Sequence, residues 1–268
     1  MQSVLSKATA RNVETEPFPH LVIENALDAS YYATLMSSFP TLEVVNGTKG
    51  KLPNNIKVAL GASEVLASSE ISDEWRAFFR FHTSMDFLAQ AMDLIAKPVA
   101  VIHPRIEPVV SRVREQKLAI ADSGEKGDLY IQCQFGMNSS VRRESSVRTA
   151  HIDNPKKIFN ALLYCRDPQD DSEGGDLVLY RFRDEPGFYG LRTAMENRVA
   201  EVARIPYAAN TLVLFANSIN SVHGVSPRKP TSHVRRYINF QVELENPIFD
   251  IPYVGRVNSF VERMLAQG

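Results

Sequence analysis

The strongest constraint on the fold is a series of short apolar runs, separated by turn signals, that occupies the chain after residue 100. The runs cover residues 128–135, 158–165, 176–182, 199–205, 211–216 and 235–243. Segments rich in glycine, proline and acidic residues connect them, such as 170–175 and 227–230. Short strands joined by such turns are typical of an all-β sandwich or barrel. The pattern therefore predicts a β-sandwich or jelly roll in this part of the chain.

The first hundred residues carry helical patterns instead. After a short strand at 18–24, Asp28 is expected to begin one helix, and Ser72 a longer one that Pro98 ends. Residues 41–63 contain several turn signals and predict a loop. We therefore expect a fold that is mainly β with helical support (α+β), in which N-terminal helices pack on a double-stranded β-helix.

The chain shows no internal repeat, and its 268 residues are enough for one large domain. We expect a single domain over residues 1–268. It would consist of a helical support (1–100), a jelly-roll core (101–245) and a C-terminal extension (246–268).

Composition excludes several classes of protein. The 30 basic and 31 acidic residues give a net charge of −1, which predicts no overall attraction to nucleic acid or to an anionic membrane. No apolar run approaches the roughly 18 residues needed to span a bilayer, and the first residues lack the apolar centre of a secretory signal. Cys133 and Cys165 are too few for a disulfide framework. These features predict a cytoplasmic protein.

Three residues form a candidate metal site. His151 and Asp153 are two positions apart, so a strand would place both side chains on one face, and His223 follows the apolar run 211–216. Two imidazoles and one carboxylate on one side of a metal suit non-haem iron(II) oxygenases. Taken alone, His151 and Asp153 could equally be an N-capping or salt-bridged surface pair. The other histidines are expected to be structural: His20, His82, His103 and His233.

The surroundings of these residues resemble the core of the 2-oxoglutarate/iron(II) dioxygenases, especially the prolyl-hydroxylase-like branch. The family pattern is a His-x-Asp at a strand end, a strand ending in Tyr, an acidic loop, Gly-Gly, a distal His-Gly-Val-x-Pro and an Arg-Tyr. The corresponding stretches here are HIDNPKKIFNALLYCRDPQDDSEGGDLVLY (151–180), NTLVLFANSINSVHGVSPR (210–228) and RRYINFQVE (235–243). The resemblance covers about residues 128–243.

The resemblance implies iron(II), 2-oxoglutarate and dioxygen as cofactor and co-substrates, with His151, Asp153 and His223 as iron ligands. It also implies an arginine that pairs with the distal carboxylate of 2-oxoglutarate, for which Arg236 and Arg235 compete. The apolar face of this strand is expected to point into the barrel, which favours Arg236. The spacing from His223 is longer than usual, so Arg228 and Lys229 remain outside candidates. Further expected co-substrate contacts are Tyr164, Asn160 and Gln134.

The segment 136–150 is long and basic, and it contains Arg142, Arg143 and Arg148. It is either a solvated loop or a lid that presents an arginine to an anionic substrate.

The implied reaction is hydroxylation, or a related desaturation or ring chemistry, because halogenating relatives have a small residue in place of the carboxylate that Asp153 provides. We favour a small-molecule substrate, such as an amino acid or an intermediate of specialised metabolism, over a prolyl-type peptide. The rivals from other classes are a non-redox metal-holding β-sandwich binding protein and a jelly-roll isomerase or epimerase. Substrate identity and oligomeric state stay open.

Overall fold

Two facing antiparallel sheets form the centre of the fold, and helices cover the outer face of the larger one. The structure is a computed structural model that describes residues 1–47, 50–190 and 192–252. Its helices are α1 Ala29–Ser37, α2 Leu42–Asn46, α3 Ala62–Ala67, α4 Asp73–His82, α5 Met85–Ile102 and α6 Glu107–Ser111. Its strands are β1 His20–Ile23, β2 Lys57–Leu60, β3 Leu118–Ile120, β4 Leu129–Asn138, β5 Lys157–Tyr164, β6 Leu177–Phe182, β7 Phe188–Tyr189, β8 Thr193–Ala194, β9 Val199–Ile205, β10 Thr211–Ala216, β11 His223–Val225 and β12 Arg235–Leu244.

The larger sheet has the strand order β1-β10-β5-β12-β4-β2, and β3 joins it parallel to β4. The smaller sheet has the order β11-β6-β9, and β7 and β8 form a separate two-stranded ribbon. This arrangement confirms the predicted double-stranded β-helix with helical support. All six apolar runs named above coincide with strands. None of the described helices is long and apolar enough to cross a membrane.

The N-terminal region differs from its prediction in two places. Residues 41–63 are not a loop, because they contain α2, β2 and the start of α3. The predicted long helix is divided, since Ser84 accepts the Phe87 N–H and begins α5 as a second helix. Pro98 lies within α5 and does not end it. The predicted C-terminal extension lies outside the described residues from 253 onward.

The two faces of the larger sheet have different surroundings. Toward the helices, Trp75, Phe78 and Phe79 of α4 pack with Phe135 of β4 and Phe240 of β12 in the main hydrophobic core. Each such fully buried aromatic side chain stabilises the fold by about 1.5–3 kcal/mol. The face toward the smaller sheet encloses a second apolar cluster and a polar cavity. The helices therefore stabilise the sheet from outside and leave the space between the sheets for a functional site.

Candidate active site

The two histidines of the predicted metal site lie directly opposite each other in an isolated antiparallel bridge, which joins His151 in the segment before β5 to His223, the first residue of β11. The His151 N–H donates to the His223 carbonyl and the His223 N–H donates to the His151 carbonyl, both at 2.9 Å. Their ring centroids are 4.4 Å apart. Ile152 is fully buried in an apolar cluster, so Asp153 returns to the side of His151. One potential ligand atom from each of the three residues lies within 4.8 Å of the others.

Each imidazole is held in one orientation by a backbone carbonyl. His151 Nδ1 lies 2.8 Å from the Thr149 carbonyl, and His223 Nδ1 lies 2.9 Å from the Ser221 carbonyl. A proton on Nδ1 would leave the Nε2 lone pair free to coordinate a metal. Burial lowers the pKa of both histidines, although Asp153 opposes the effect. Both rings are therefore neutral near neutral pH, as metal binding requires.

Asp153 is held as a carboxylate by its neighbours. Burial alone would raise its pKa, but the charge of Lys157 and its hydrogen bond outweigh burial and keep the pKa of Asp153 well below its usual range. Lys157 Nζ lies 3.4 Å from Oδ1, and Asn160 Nδ2 donates to Oδ2 at 2.9 Å. These contacts fix the carboxylate next to His223, whose Nε2 is 3.8 Å from Oδ2. The donor set of two neutral imidazoles and a carboxylate fits iron(II).

The three residues lie in the wall of a cavity of about 230 Å³ between the sheets. Apolar side chains line part of the cavity: Val147, Leu162, Leu177, Val225 and Tyr237. Polar and charged side chains line the rest: Lys57, Asn138, Arg148, Lys157, Asn160, Arg235 and Asn239. A few oriented polar groups in a partly apolar cavity are typical of a small-molecule site.

The strand face expected to enter this cavity is the wrong one, and Arg236 does not line it. Ile238 and Phe240, which share the face of Arg236, pack in the main core beneath the helices. Arg236 itself forms an ion pair with Asp167 at 2.7 Å and donates to the Cys165 carbonyl at 3.2 Å. The prediction assumed that the apolar face of β12 points into the barrel. The helices cover that apolar face, and the polar face of β12 lines the cavity.

Arg235 enters the cavity instead and is only 2% exposed. Its guanidinium carbon lies about 5 Å from the ring centres of three tyrosines, at 5.0 Å from Tyr164, 5.0 Å from Tyr207 and 5.1 Å from Tyr237. Nε donates to the Gly175 carbonyl at 2.8 Å, and Nη1 donates to Asn138 Oδ1 at 3.3 Å. Within the described residues, Arg235 has no acidic partner, and its buried Nη2 has no hydrogen-bond partner.

The other predicted co-substrate contacts are divided. Tyr164 is not itself a lining residue but is fully buried behind the lining beside Arg235, and its hydroxyl has no hydrogen-bond partner among the described residues. Burial raises the pKa of Tyr164, so the phenol keeps its proton and can donate it in a hydrogen bond. Asn160 lines the cavity but is bonded to Asp153. Gln134 lies opposite Asn239 in the sheet and is not among the lining residues.

The glycine pair of the predicted turn lies behind Arg235. Gly174 and Gly175 have φ angles of +82° and +86°, which L side chains rarely adopt. A Cβ on Gly175 would lie 3.2 Å from the Cδ atoms of both Arg228 and Arg235. Arg228 is fully buried and donates to the Ser139 and His233 carbonyls, outside the cavity lining. Lys229 pairs with Glu173 near the surface, so neither outside candidate reaches the cavity.

Of the three arginines in segment 136–150, only Arg148 lines the cavity. Arg142 and Arg143 are exposed and lie outside the lining. Their segment is tied down by Asn54, whose Oδ1 accepts the N–H groups of both residues at 2.6 and 3.0 Å.

Sequence reasoning missed two lysines of the site. Lys157 lies four positions after Asp153, and this spacing could have been noticed as a charge pair. Lys57 lies in the segment interpreted as a loop, and pairing of β2 with β4 brings it to the cavity. No local sequence pattern indicates that Lys57 lies at the cavity.

Comparison with known proteins agrees with this geometry. Residues 139–241, which include the His-Asp-His group and Arg235, match the family model of the 2OG-Fe(II) oxygenase superfamily. A prolyl 4-hydroxylase from Phytophthora capsici has a similar fold, with a TM-score of 0.53, 14% identity and coverage of 98% of this chain and 70% of that chain. No curated protein matches the sequence significantly.

Two other solved structures are similar at lower TM-scores. A prolyl hydroxylase from Trichoplax adhaerens, in complex with a hypoxia inducible factor peptide, has a TM-score of 0.43 and 15% identity, over 88% of this chain and 89% of that chain. The dioxygenase for auxin oxidation 1 from Arabidopsis thaliana has a TM-score of 0.44 and 14% identity, over 87% of this chain and 86% of that chain. At these identities the likeness concerns the fold alone.

Residues 139–241 therefore match the 2OG-Fe(II) oxygenase superfamily, and the fold is like that of a prolyl 4-hydroxylase. The chain is an enzyme of the 2-oxoglutarate-dependent dioxygenase class, and its cofactor and co-substrates are iron(II), 2-oxoglutarate and dioxygen.

Proposed function

We propose that this oxygenase hydroxylates a small molecule, that His151, Asp153 and His223 hold its iron, and that Arg235 binds the distal carboxylate of 2-oxoglutarate. The observation that carries the proposal is Arg235 itself, a guanidinium 2% exposed, without an acidic partner in the described chain, in the same cavity as the three ligands. A buried charge without a counter-ion is costly. A bound carboxylate removes that cost.

The shape of the guanidinium supports this role. Arg235 Nε donates to the Gly175 carbonyl and Nη1 donates to Asn138 Oδ1, which leaves Nη2 to donate to a ligand. The Tyr164 hydroxyl is the second unpartnered donor beside it. An arginine and a phenol together offer charged and neutral hydrogen bonds to one carboxylate. We infer that Tyr164 shares this carboxylate, while Asn160 acts on Asp153 instead of on the co-substrate.

Bound iron(II) would activate dioxygen, which is the oxidant; conversion of 2-oxoglutarate to succinate and carbon dioxide would supply two of the four electrons that dioxygen accepts, and hydroxylation of the substrate the other two. The chain contributes position and exclusion of water. The Thr149 and Ser221 carbonyls orient the two imidazoles, and Lys157 and Asn160 orient the carboxylate. Leu162, Leu177 and Val225 form a dry wall in the same cavity. The presence of Asp153 supports hydroxylation over halogenation.

The size of the cavity supports a small substrate. A volume of about 230 Å³ corresponds to about eight water molecules at roughly 30 Å³ each. 2-Oxoglutarate, with ten non-hydrogen atoms, takes up much of this space, so the remaining group must be compact. A prolyl-type peptide is the alternative, in which a single side chain enters. The match of residues 139–241 to the oxygenase family model favours a redox enzyme over the non-redox binding protein.

We also propose that the chain acts as a single domain. One hydrophobic core includes residues of α4 and α5 together with residues of β4, β5, β10 and β12. Cys133 and Cys165 are free and buried, which supports the predicted cytoplasmic location.

An anaerobic titration of the iron(II)-loaded protein with 2-oxoglutarate tests the co-substrate site. We expect a visible charge-transfer absorption that saturates at one equivalent of iron. Succinate formation is then measured in air with pools of amino acids and small metabolites and, separately, with proline-containing peptides. Absence of the absorption would overturn the whole proposal, whereas turnover with peptides alone would overturn the small substrate and leave the iron and 2-oxoglutarate site intact.

A further inference from the structure

The cavity contains more positive charge than iron and 2-oxoglutarate need. Four basic side chains line it, namely Lys57, Arg148, Lys157 and Arg235, whereas Asp153 is the one acidic side chain of the lining. Iron(II) and dianionic 2-oxoglutarate cancel in charge, and Lys157 cancels Asp153. Arg235 is assigned to the co-substrate. These pairings assign no function to Lys57 and Arg148.

The sheet register shows where Lys57 lies relative to the co-substrate arginine. Lys57 of β2 is directly opposite Asn138 of β4, and Asn138 is directly opposite Arg235 of β12. Directly opposite residues share a face, and neighbouring strands are about 4.8 Å apart. The two cations are thus two strands, or about 10 Å, apart. Lys57 therefore reaches the cavity from a different strand, on the far side of β4 from Arg235, and forms a second basic part of the lining.

Arg148 and Asn138 complete this second part. Lys57 and Arg148 line the same cavity as Asp153. Burial lowers the pKa of Lys57, Asp153 opposes the effect, and the like charge of Arg148 adds to it. The Arg148 backbone is tied to β11, because its carbonyl accepts the Val225 N–H at 2.9 Å. Asn138, directly opposite Lys57, is 1% exposed, and its Nδ2 has no hydrogen-bond partner among the described residues. A buried amide donor beside a cation is suited to an oxyanion.

We propose that the substrate carries a carboxylate or phosphate group, which Lys57 and Arg148 bind separately from the 2-oxoglutarate carboxylate at Arg235. The proposal rests on the oxygenase function above and gives the substrate its chemical class. It also provides a means of orientation, because an anchored oxyanion holds the rest of a small molecule at a fixed distance from the three iron ligands. Lys57 and Arg148 act here as substrate-binding residues, distinct from the co-substrate arginine.

The test uses the whole protein loaded with zinc(II), which is redox-inert, and saturated with 2-oxoglutarate. Inorganic phosphate and acetate are titrated separately, and NMR chemical shifts report the dissociation constant and the location of each anion. The variants are Lys57→Gln, Arg148→Gln and the charge-preserving Lys57→Arg. Lys51→Gln and Arg143→Gln are matched controls, since these exposed residues carry the same charges in the same two segments outside the lining.

We expect the cavity to bind at least one anion, with the dissociation constant raised at least about fivefold in Lys57→Gln and Arg148→Gln and restored in Lys57→Arg. The controls should stay within twofold of the unchanged protein. Tighter phosphate binding would indicate a phosphorylated substrate, and tighter acetate binding a carboxylate. Anion binding that neither variant changes, or no binding in the cavity, would overturn the proposal.

The affinity for 2-oxoglutarate, measured in the same samples, separates this proposal from the proposed function. It should stay within twofold in all variants. If Lys57→Gln weakens 2-oxoglutarate instead of the anion, Lys57 belongs to the co-substrate site and the inference is wrong. If the unchanged protein does not bind 2-oxoglutarate, the proposed function has failed first.

Discussion

The adjacent arginines Arg235 and Arg236 allow a sharp test, because they have the same chemistry and point to opposite faces of one strand. Replacing Arg235 by Gln removes the positive charge and the paired guanidinium N–H donors that a buried carboxylate would contact. Breaking a buried, hydrogen-bonded charge pair costs about 2–5 kcal/mol. At 1.4 kcal/mol per tenfold, this cost predicts a 2-oxoglutarate dissociation constant about 30-fold to a few thousandfold higher.

The control is Arg236→Gln. Arg236→Gln loses the hydrogen bond to the Cys165 carbonyl and the ion pair with Asp167, both outside the cavity lining. The two side chains of the ion pair are 18% and 39% exposed, and such a pair contributes about 0–1 kcal/mol to stability. We expect its 2-oxoglutarate affinity to stay within about threefold. Arg235→Lys keeps the positive charge but not the paired N–H donors of the guanidinium, so its affinity for 2-oxoglutarate should be intermediate.

The assay is the anaerobic absorption titration with iron(II) and 2-oxoglutarate. A parallel measurement of iron content and thermal stability is needed, because Arg235 also contacts Tyr164, Tyr207 and Tyr237. The reasoning is refuted if Arg235→Gln remains folded and iron-loaded yet binds 2-oxoglutarate like the unchanged protein. It is also refuted if Arg236→Gln loses as much affinity as Arg235→Gln.

Three further predictions concern the metal, the turn and the core. Asp153→Asn should lower iron affinity at least about tenfold in a chelator competition, because one anionic ligand is lost. Gly175→Ala should destabilise the fold by about 1–2 kcal/mol and weaken 2-oxoglutarate, because its φ is +86° and its Cβ would press on Arg235, whereas Gly190→Ala meets open space. Burial lowers the pKa of His82 to about 3, so the unfolded chain binds the extra proton first as the pH falls below about 6.5. Stability should therefore fall with acidification by about 1.4 kcal/mol per pH unit from this residue, and His82→Gln should remove that slope in urea denaturation.

Each of these has an outcome that contradicts it. Iron affinity in Asp153→Asn equal to that of the unchanged protein would exclude Asp153 as a ligand. Equal effects of Gly175→Ala and Gly190→Ala would show that the turn does not support Arg235. An unchanged acid slope in His82→Gln would mean that other buried histidines, such as His103, carry it.

The sequence was sufficient for the parts of the site that depend on residue type and short spacing. The closeness of His151 and Asp153 followed from their two-residue spacing alone, and Asn160, one of the expected contacts, does line the cavity. The prediction that Arg236 faces the cavity was wrong, because the choice between Arg235 and Arg236 depended on which side of the sheet the helices cover. The register of β12 against β5 decides it, since Tyr237 is directly opposite Tyr164. If Tyr164 faces the cavity, so must Tyr237 and Arg235.

Lys57 shows the other limit of sequence reasoning. Its turn-rich surroundings gave no strand signal, and β2 forms because β4 offers it an edge that is distant in the chain. Its contact with the cavity is therefore a product of tertiary pairing. Ser84 is the opposite case, because it interrupts the helical pattern between α4 and α5 by a local contact, in which its side chain accepts the Phe87 N–H.

Unpartnered polar atoms connect these observations. Asn138 Nδ2, Tyr164 Oη, Arg235 Nη2 and Asn239 Oδ1 are buried without hydrogen-bond partners in the described chain, and all four lie on the cavity side of the larger sheet. Each such atom costs the ligand-free fold about 1–3 kcal/mol. The opposite face of the same strands is apolar and closely packed against helices, which stabilises the sheet despite that cost. Because oxyanions can satisfy the donors among these atoms, their placement favours ligand binding over stability of the empty protein.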